Sequence, residues 1–297
     1  MATLRLRQRY VEVVQLGRPL VISHQPPQHL AGSSDIGFND RAGIKDTVDQ
    51  LRGAWLEGNE IGTHFNGHFC GTGRGVGEWS VADWKSEINQ AKSFVKAWKT
   101  NTGMGKAQPL PFDYDRELIG ARTPCLEGRT NFMRAARDLG FRYDTSGVNN
   151  QLWPKKKEGL WDLSMQLVPV PGRGFETLTM DYNFMVNQSG STSNGDPDKH
   201  EYWGDQMRDG LIKGFDRAYH GNRAPLIIGN HFESWNGGTY MRAIEETIER
   251  FAQARRDRAR EREQAHVRPA EQCARRLDLA VAPDEGRRLD RQVRRPV

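Results

Sequence analysis

A chain of 297 residues, 36% hydrophobic and with a mean hydropathy of −0.76, has no apolar run near the roughly 18 to 20 residues that a membrane helix needs. Barrels of the α/β type reach this length as one unit, so length alone does not divide the chain. The net charge of +5 lies wholly in residues 254–297, where 13 arginines face 8 acidic residues, so the balanced body offers no electrostatic footprint for nucleic acid.

Along the chain, Ile44, Val48, Leu51 and Trp55 recur at helical spacing, and Gly58 ends that helix. A short Glu60-Ile61-Gly62 segment then delivers His64. Ser80-x-x-Asp83 has the form of a capping box and opens a helix with Trp84, Ile88, Ala91, Val95 and Trp98 on one face. A helix over 130–139 groups Phe132, Ala135 and Leu139, and Phe141-Arg142-Tyr143-Asp144 follows as a strand. Further strands are expected at 166–170, 177–181 and 225–230, with helices at 205–220 and 238–252 and a polar loop at 187–199. Alternating helices and strands predict an α/β fold, a parallel sheet or barrel with its site at the strands' carboxyl ends. Residues 1–24 form an atypical N-terminal segment, 25–252 the domain, and 253–297 an Arg/Ala-rich tail read as solvated helix followed by disorder.

Three cysteines, Cys70, Cys125 and Cys273, exclude a disulfide framework and a four-thiolate zinc site but leave room for one bridge. The opening Met1–Arg9 stretch lacks the apolar core of a secretory signal, so the chain as written is expected in the cytoplasm. His64-Phe65-Asn66-Gly67-His68 places two imidazoles four residues apart, a spacing that lets both reach one metal ion. Phe65 stands where a zinc protease would carry glutamate, which excludes that chemistry. The same pair also reads as two unrelated histidines in a glycine-rich loop. Arg122, before Thr123-Pro124-Cys125, can orient a carboxylate or serve as an ordinary loop arginine. Asp181 closes the run Leu178-Thr179-Met180 and can orient a histidine or simply terminate a strand. His231 ends the most apolar strand, either as a proton donor or as a packed core residue. Trp235, ahead of the Asn236-Gly237-Gly238 turn, can wall a sugar ring or pack. Gly71-Thr72-Gly73-Arg74-Gly75-Val76-Gly77 lacks the Lys-Ser/Thr of a nucleotide loop, and Asn187-Gln188-Ser189 fits a glycosylation sequon.

Taken in order over residues 25–252, four segments resemble the polysaccharide deacetylases (NodB homology domain, carbohydrate esterase family 4). They are Gly58-Asn59-Glu60-Ile61-Gly62-Thr63-His64 with His68; Arg122-Thr123-Pro124 with Leu139-Gly140-Phe141-Arg142-Tyr143-Asp144; Asp181; and Ile228-Gly229-Asn230-His231. The resemblance implies a distorted (β/α) barrel that removes N-acetyl groups from an amino-sugar polysaccharide. It implies a divalent metal, zinc, with cobalt or another transition metal as alternatives, held by His64 and His68. Arg122 would hold the aspartate base, Asp181 would support His231 as the acid, and Pro124 and Trp235 would line an N-acetylated glycan. The family's opening Thr-Phe-Asp-Asp strand, source of the base and the third metal ligand, has no counterpart upstream of His64. Phe38-Asn39-Asp40 is its nearest imitation, and asparagine cannot act as the base. The barrel is therefore expected to be incomplete at both ends and its activity impaired, with a non-catalytic carbohydrate-binding relative as the alternative. If a native N-terminus is missing, the expected location becomes secreted or cell envelope.

Overall fold

The computed structural model describes residues 23–149, 153–231 and 233–264, so the first apolar runs and the tail beyond Gln264 lie outside the described residues. The chain falls into two compact units, Met1–Thr247 and Ile248–Val297. In the second, the described residues are helical.

In the first unit, α1 (Arg41–Leu56) starts where the Asp40 carboxylate accepts from the Gly43 N–H at 2.7 Å, a standard N-cap bond. That contact gives Asp40 a capping role in the Phe38-Asn39-Asp40 segment. The predicted capping box forms at Ser80 and Asp83 and opens α2 (Val81–Thr102), which Gly103 ends at φ +69°. Trp84, Ile88, Ala91, Val95 and Trp98 are all buried, as their spacing requires. The short α3 (Tyr114–Glu117) precedes β1 (Gly120–Ala121), α4 (Arg129–Asp138) and β2 (Tyr143–Asp144). Then come β3 (Val148–Asn149), β4 (Lys155–Lys157), β5 (Leu160–Asp162), β6 (Met165–Pro169) and β7 (Glu176–Leu178). The helices α5 (Asp181–Ser189), α6 (His200–His220) and α7 (Trp235–Gln264) complete the described chain.

The described strands form two open mixed sheets, an α/β arrangement in which no barrel closes among the described residues. One has the order β1-β2-β5-β4, parallel except for the antiparallel edge β4; the other has the order β3-β6-β7, with β7 antiparallel. One core packs α2 and α4 on the first sheet through Trp84, Ile88, Phe132, Met133 and Leu160. A second joins β6 to α5, α6 and α7 through Val168, Phe184, Met207, Leu211 and Tyr240.

The expected strand at 225–230 is reduced to a single parallel bridge, Met180 to Gly229. Beside the backbone bond from Gly229 N to Thr179 O at 2.8 Å, side chains hold the segment. Gln166 Oε1 accepts from Ile227 N at 2.7 Å, Gln166 Nε2 donates to Pro225 O at 3.2 Å, and Thr179 Oγ1 donates to Ile227 O at 2.7 Å. The expected strand 177–181 also stops early, and Asp181 opens α5 instead of closing a strand. A carboxylate in a first helical turn is favoured by the orphan N–H groups there. The 187–199 stretch is likewise not all loop, since α5 runs to Ser189 and a 3-10 turn covers Pro197–Lys199.

Each of the delivered side chains follows a parallel pairing. Thr63 bridges Ala121 in parallel just before His64, Ala121 precedes Arg122, Met180 precedes Asp181, and Gly229 precedes His231 by two residues. In open α/β sheets the carboxyl ends of strands are where ligand sites form.

Candidate active site

The first half of the site is the loop after Thr63. Thr63 N donates to Gly120 O at 3.2 Å and Arg122 N donates to Thr63 O at 3.1 Å, fixing the strand end that carries His64. Gly120 is required beside it: a Cβ there would stand 1.8 Å from Tyr143 Cζ. His64 Nδ1 donates to the Arg122 carbonyl at 2.8 Å, which sets the tautomer with its lone pair on Nε2. Burial pushes the His64 pKa down to about 3; the Arg122 carbonyl opposes this, and the charges of His68, Arg122 and His231 add to it. His68 is also lowered, first by burial and further by His231, while Asp35 pulls the other way. Both imidazoles are thus neutral at pH 7, the form a metal requires.

Underneath, a buried carboxylate holds the loop. Glu87 Oε1 accepts from Asn66 N at 2.9 Å, and Asn66 Nδ2 donates to Glu87 O at 3.2 Å. The other oxygen, Oε2, lies 2.9 Å from Nε2 of buried His24, whose Nδ1 donates to Ser33 O at 3.1 Å. Phe65 plugs the loop into the core against Trp84 and Phe132. Phe65 and His68 take positive φ (71° and 50°), the kind of backbone that persists only where packing dictates it.

The second half is an aspartate–histidine pair. Asp181, almost fully buried, accepts from His231 Nδ1 at 2.6 Å with Oδ1 and from His231 N at 2.8 Å with Oδ2. The ring is therefore gripped at both its backbone and its side chain, with Nε2 directed away from the aspartate. Trp235 and Tyr182 flank it, with ring centres 5.3 and 6.1 Å from His231. Behind Trp235, the left-handed run Asn236-Gly237-Gly238 is held by buried Asn236, which accepts from Gly195 N at 2.7 Å and donates to Ser189 Oγ at 3.1 Å.

Arg122 joins the halves. Its carbonyl holds His64, its Nε donates to Thr145 at 3.2 Å, and a Cβ on Gly229 would stand 2.7 Å from its Nη1. Pro124 is buried at the start of a 3-10 turn, Pro124–Leu126. The next residue, Cys125, is bonded to Cys70 in a disulfide that ties the histidine loop to the arginine loop. His64, His68, Arg122, Asp181, His231 and Trp235 are thus linked by direct contacts or mutual electrostatic influence. Sequence reasoning missed Tyr182, Asp35 and Glu87, and it left room for one bridge without pairing its cysteines. Of these, only Cys70 had a visible signal, its position two residues after His68.

The separation of the two imidazole rings is compatible with one shared ion. With metal–nitrogen bonds of about 2.0 to 2.1 Å and a tetrahedral angle, two ring centres lie about 5 Å apart; the His64 and His68 centres are 5.0 Å apart. A catalytic site needs a third protein ligand. Among the described residues, the one set of three or more candidate ligands within 4.8 Å of one another is His68, Cys70 and Cys125, whose two sulfurs are bonded together. Among the described residues, no His, Cys, Asp or Glu completes such a set with both His64 and His68.

No protein-family model matches the chain, and neither does any curated protein. One solved structure, a protein of Mycobacterium smegmatis assigned provisionally to the polysaccharide deacetylases, is similar with a TM-score of 0.44 and 14% identity. The match covers 71% of this chain and 63% of that one, so this chain spans a little under two thirds of its length. Among the described residues, no helix is long and apolar enough to cross a membrane.

Proposed function

We propose that this chain is a hydrolase of the polysaccharide deacetylase kind, acting on an N-acetylated amino-sugar polymer with a divalent metal, zinc by preference, at His64 and His68. The observation that carries this reading is the two-point grip of Asp181 on His231. A bound divalent ion supplies Lewis acidity toward an amide carbonyl. With Nδ1 engaged by Asp181, His231 offers Nε2 to the substrate, where a proton can pass to the departing amine. Trp235 and Tyr182 supply aromatic faces for a sugar ring, and Arg122 orients the catalytic loop. The Cys70–Cys125 bridge favours an oxidising compartment, the cell envelope or exterior, over the cytoplasm.

The incomplete ligand set favours a second reading, a carbohydrate-binding relative without catalysis. Acetate release from N-acetylglucosamine oligomers, measured with and without zinc or cobalt and in His231→Ala, separates the two. Metal-dependent release that His231→Ala abolishes supports the hydrolase. Saturable oligomer binding without release supports the second reading, and neither binding nor release refutes both.

A further inference from the structure

The bridge beside His68 has the makings of a second metal site. His68 Nδ1 lies 3.6 Å from Cys70 Sγ, and one ligand atom from each of His68, Cys70 and Cys125 lies within 4.8 Å of the others. For zinc, with bonds of about 2.3 Å to sulfur and 2.0 to 2.1 Å to nitrogen, a tetrahedral N–Zn–S edge is about 3.6 Å long. The histidine and the first sulfur thus already stand at ligand spacing. The two sulfurs must part to about 3.8 Å, the tetrahedral S–S edge at that bond length. Their Cα atoms are 6.0 Å apart, and Cys125 is exposed at the surface. Cys125 and Leu126 also hold consecutive left-handed conformations, φ 51° and 62°, which side chains disfavour. Opening the bridge allows that turn to relax.

We propose that reduction of the Cys70–Cys125 bridge creates a thiolate site for a borderline-soft divalent ion such as zinc, with His68, Cys70 and Cys125 as ligands and solvent in the fourth position. An external dithiol supplies the two electrons and two protons that convert the bridge to two thiols, and is itself left as a disulfide. Binding of the ion then releases both thiol protons to solvent. The site shares His68 with the ion proposed at His64 and His68 and replaces His64 by the two sulfurs, so the two ions compete for that ring; its test reads the thiolate band and not hydrolysis.

The test uses the full-length chain carrying Cys273→Ser, so that Cys70 and Cys125 are its only thiols. After reduction, titration with cobalt(II) is expected to give a thiolate-to-cobalt charge-transfer absorption saturating at one equivalent, displaced by zinc. The oxidised protein should not show it. Cys70→Ser and Cys125→Ser should each abolish or strongly weaken the band, His68→Ala should weaken cobalt affinity at least tenfold, and His64→Gln should leave the band in place. Circular dichroism and a count of two reactive thiols check that the reduced chain remains folded. A folded, fully reduced protein without the band overturns the proposal, as does a band that survives either cysteine substitution or is lost with His64→Gln.

Discussion

Replacing Asp181 with asparagine changes one oxygen to an NH2 group and leaves the shape intact, so its effect isolates hydrogen-bond polarity. Oδ1 accepts from Tyr182 N at 2.8 Å and from His231 Nδ1 at 2.6 Å, and Oδ2 accepts from His231 N at 2.8 Å. Each oxygen therefore faces a backbone N–H, a donor that cannot reverse. Whichever way the amide is turned, its NH2 group meets one of those N–H groups, and a buried donor loses its acceptor at about 1–3 kcal/mol. Loss of the negative charge from the first turn of α5 adds roughly 0.3–1 kcal/mol. Asp181→Asn is thus expected to lower unfolding free energy by about 1–4 kcal/mol, or the melting temperature by roughly 2–4 °C per kcal/mol. Urea unfolding at neutral pH reads this directly and requires no substrate. If the ring also acts as the acid, activity on acetylated oligomers should fall roughly tenfold for each 1.4 kcal/mol of misplaced hydrogen bonding. A variant within about 0.5 kcal/mol of the parent would refute the two-handed grip on His231, and with it the main support for the proposed chemistry.

Gly120→Ala must displace Tyr143, whose ring atoms would lie 1.8 and 2.2 Å from the new Cβ; urea unfolding should show a loss of about 1–3 kcal/mol or more. Metal-free stability should fall as pH drops below 6.5 toward about 3, because the unfolded chain binds a proton at His64 that the folded chain refuses. The slope from this group is at most about 1.4 kcal/mol per pH unit, and His64→Gln should remove it from the pH profile of urea unfolding, whereas an unchanged profile would contradict the buried neutral ring. Reducing the Cys70–Cys125 bridge, which spans 55 residues, should cost about 4 kcal/mol through the unfolded chain's regained freedom, seen as a lower urea midpoint in the metal-free Cys70→Ser/Cys125→Ser protein.

Local and long-range causes of structure divide the sequence-based expectations cleanly. The helices were legible because burial acts on residues three and four apart, so Ile44 with Val48 and Trp84 with Ile88 announce their faces without knowledge of their partners. Ser80 and Asp83 likewise act on each other across three residues. The 225–230 segment misled because Leu226-Ile227-Ile228 has the composition of a buried strand, while what satisfies its backbone is Gln166 and Thr179, about 50 to 60 residues away. The bridge from Cys70 to Cys125 and the Glu87 grip on Asn66 are invisible for the same reason, since no local pattern records a contact across 55 or 21 residues.

Asp181 shows how a residue can be singled out in the sequence while its setting is misread. After Leu178-Thr179-Met180, an aspartate ends a strand or opens a helix with equal local plausibility, because both places offer a carboxylate nearby N–H donors. The helix decides the chemistry. At the first position of α5 the carboxylate is fixed by Tyr182 N, so it meets His231 already oriented, with one oxygen for the ring and the other for the backbone. A carboxylate on a plain strand end would keep its rotational freedom and would lose side-chain entropy, up to roughly 1–2 kcal/mol, in holding the same ring. The helical start thus makes the aspartate a rigid mount for His231, and substitutions that shift the first turn of α5 should disturb that histidine even where Asp181 itself is untouched.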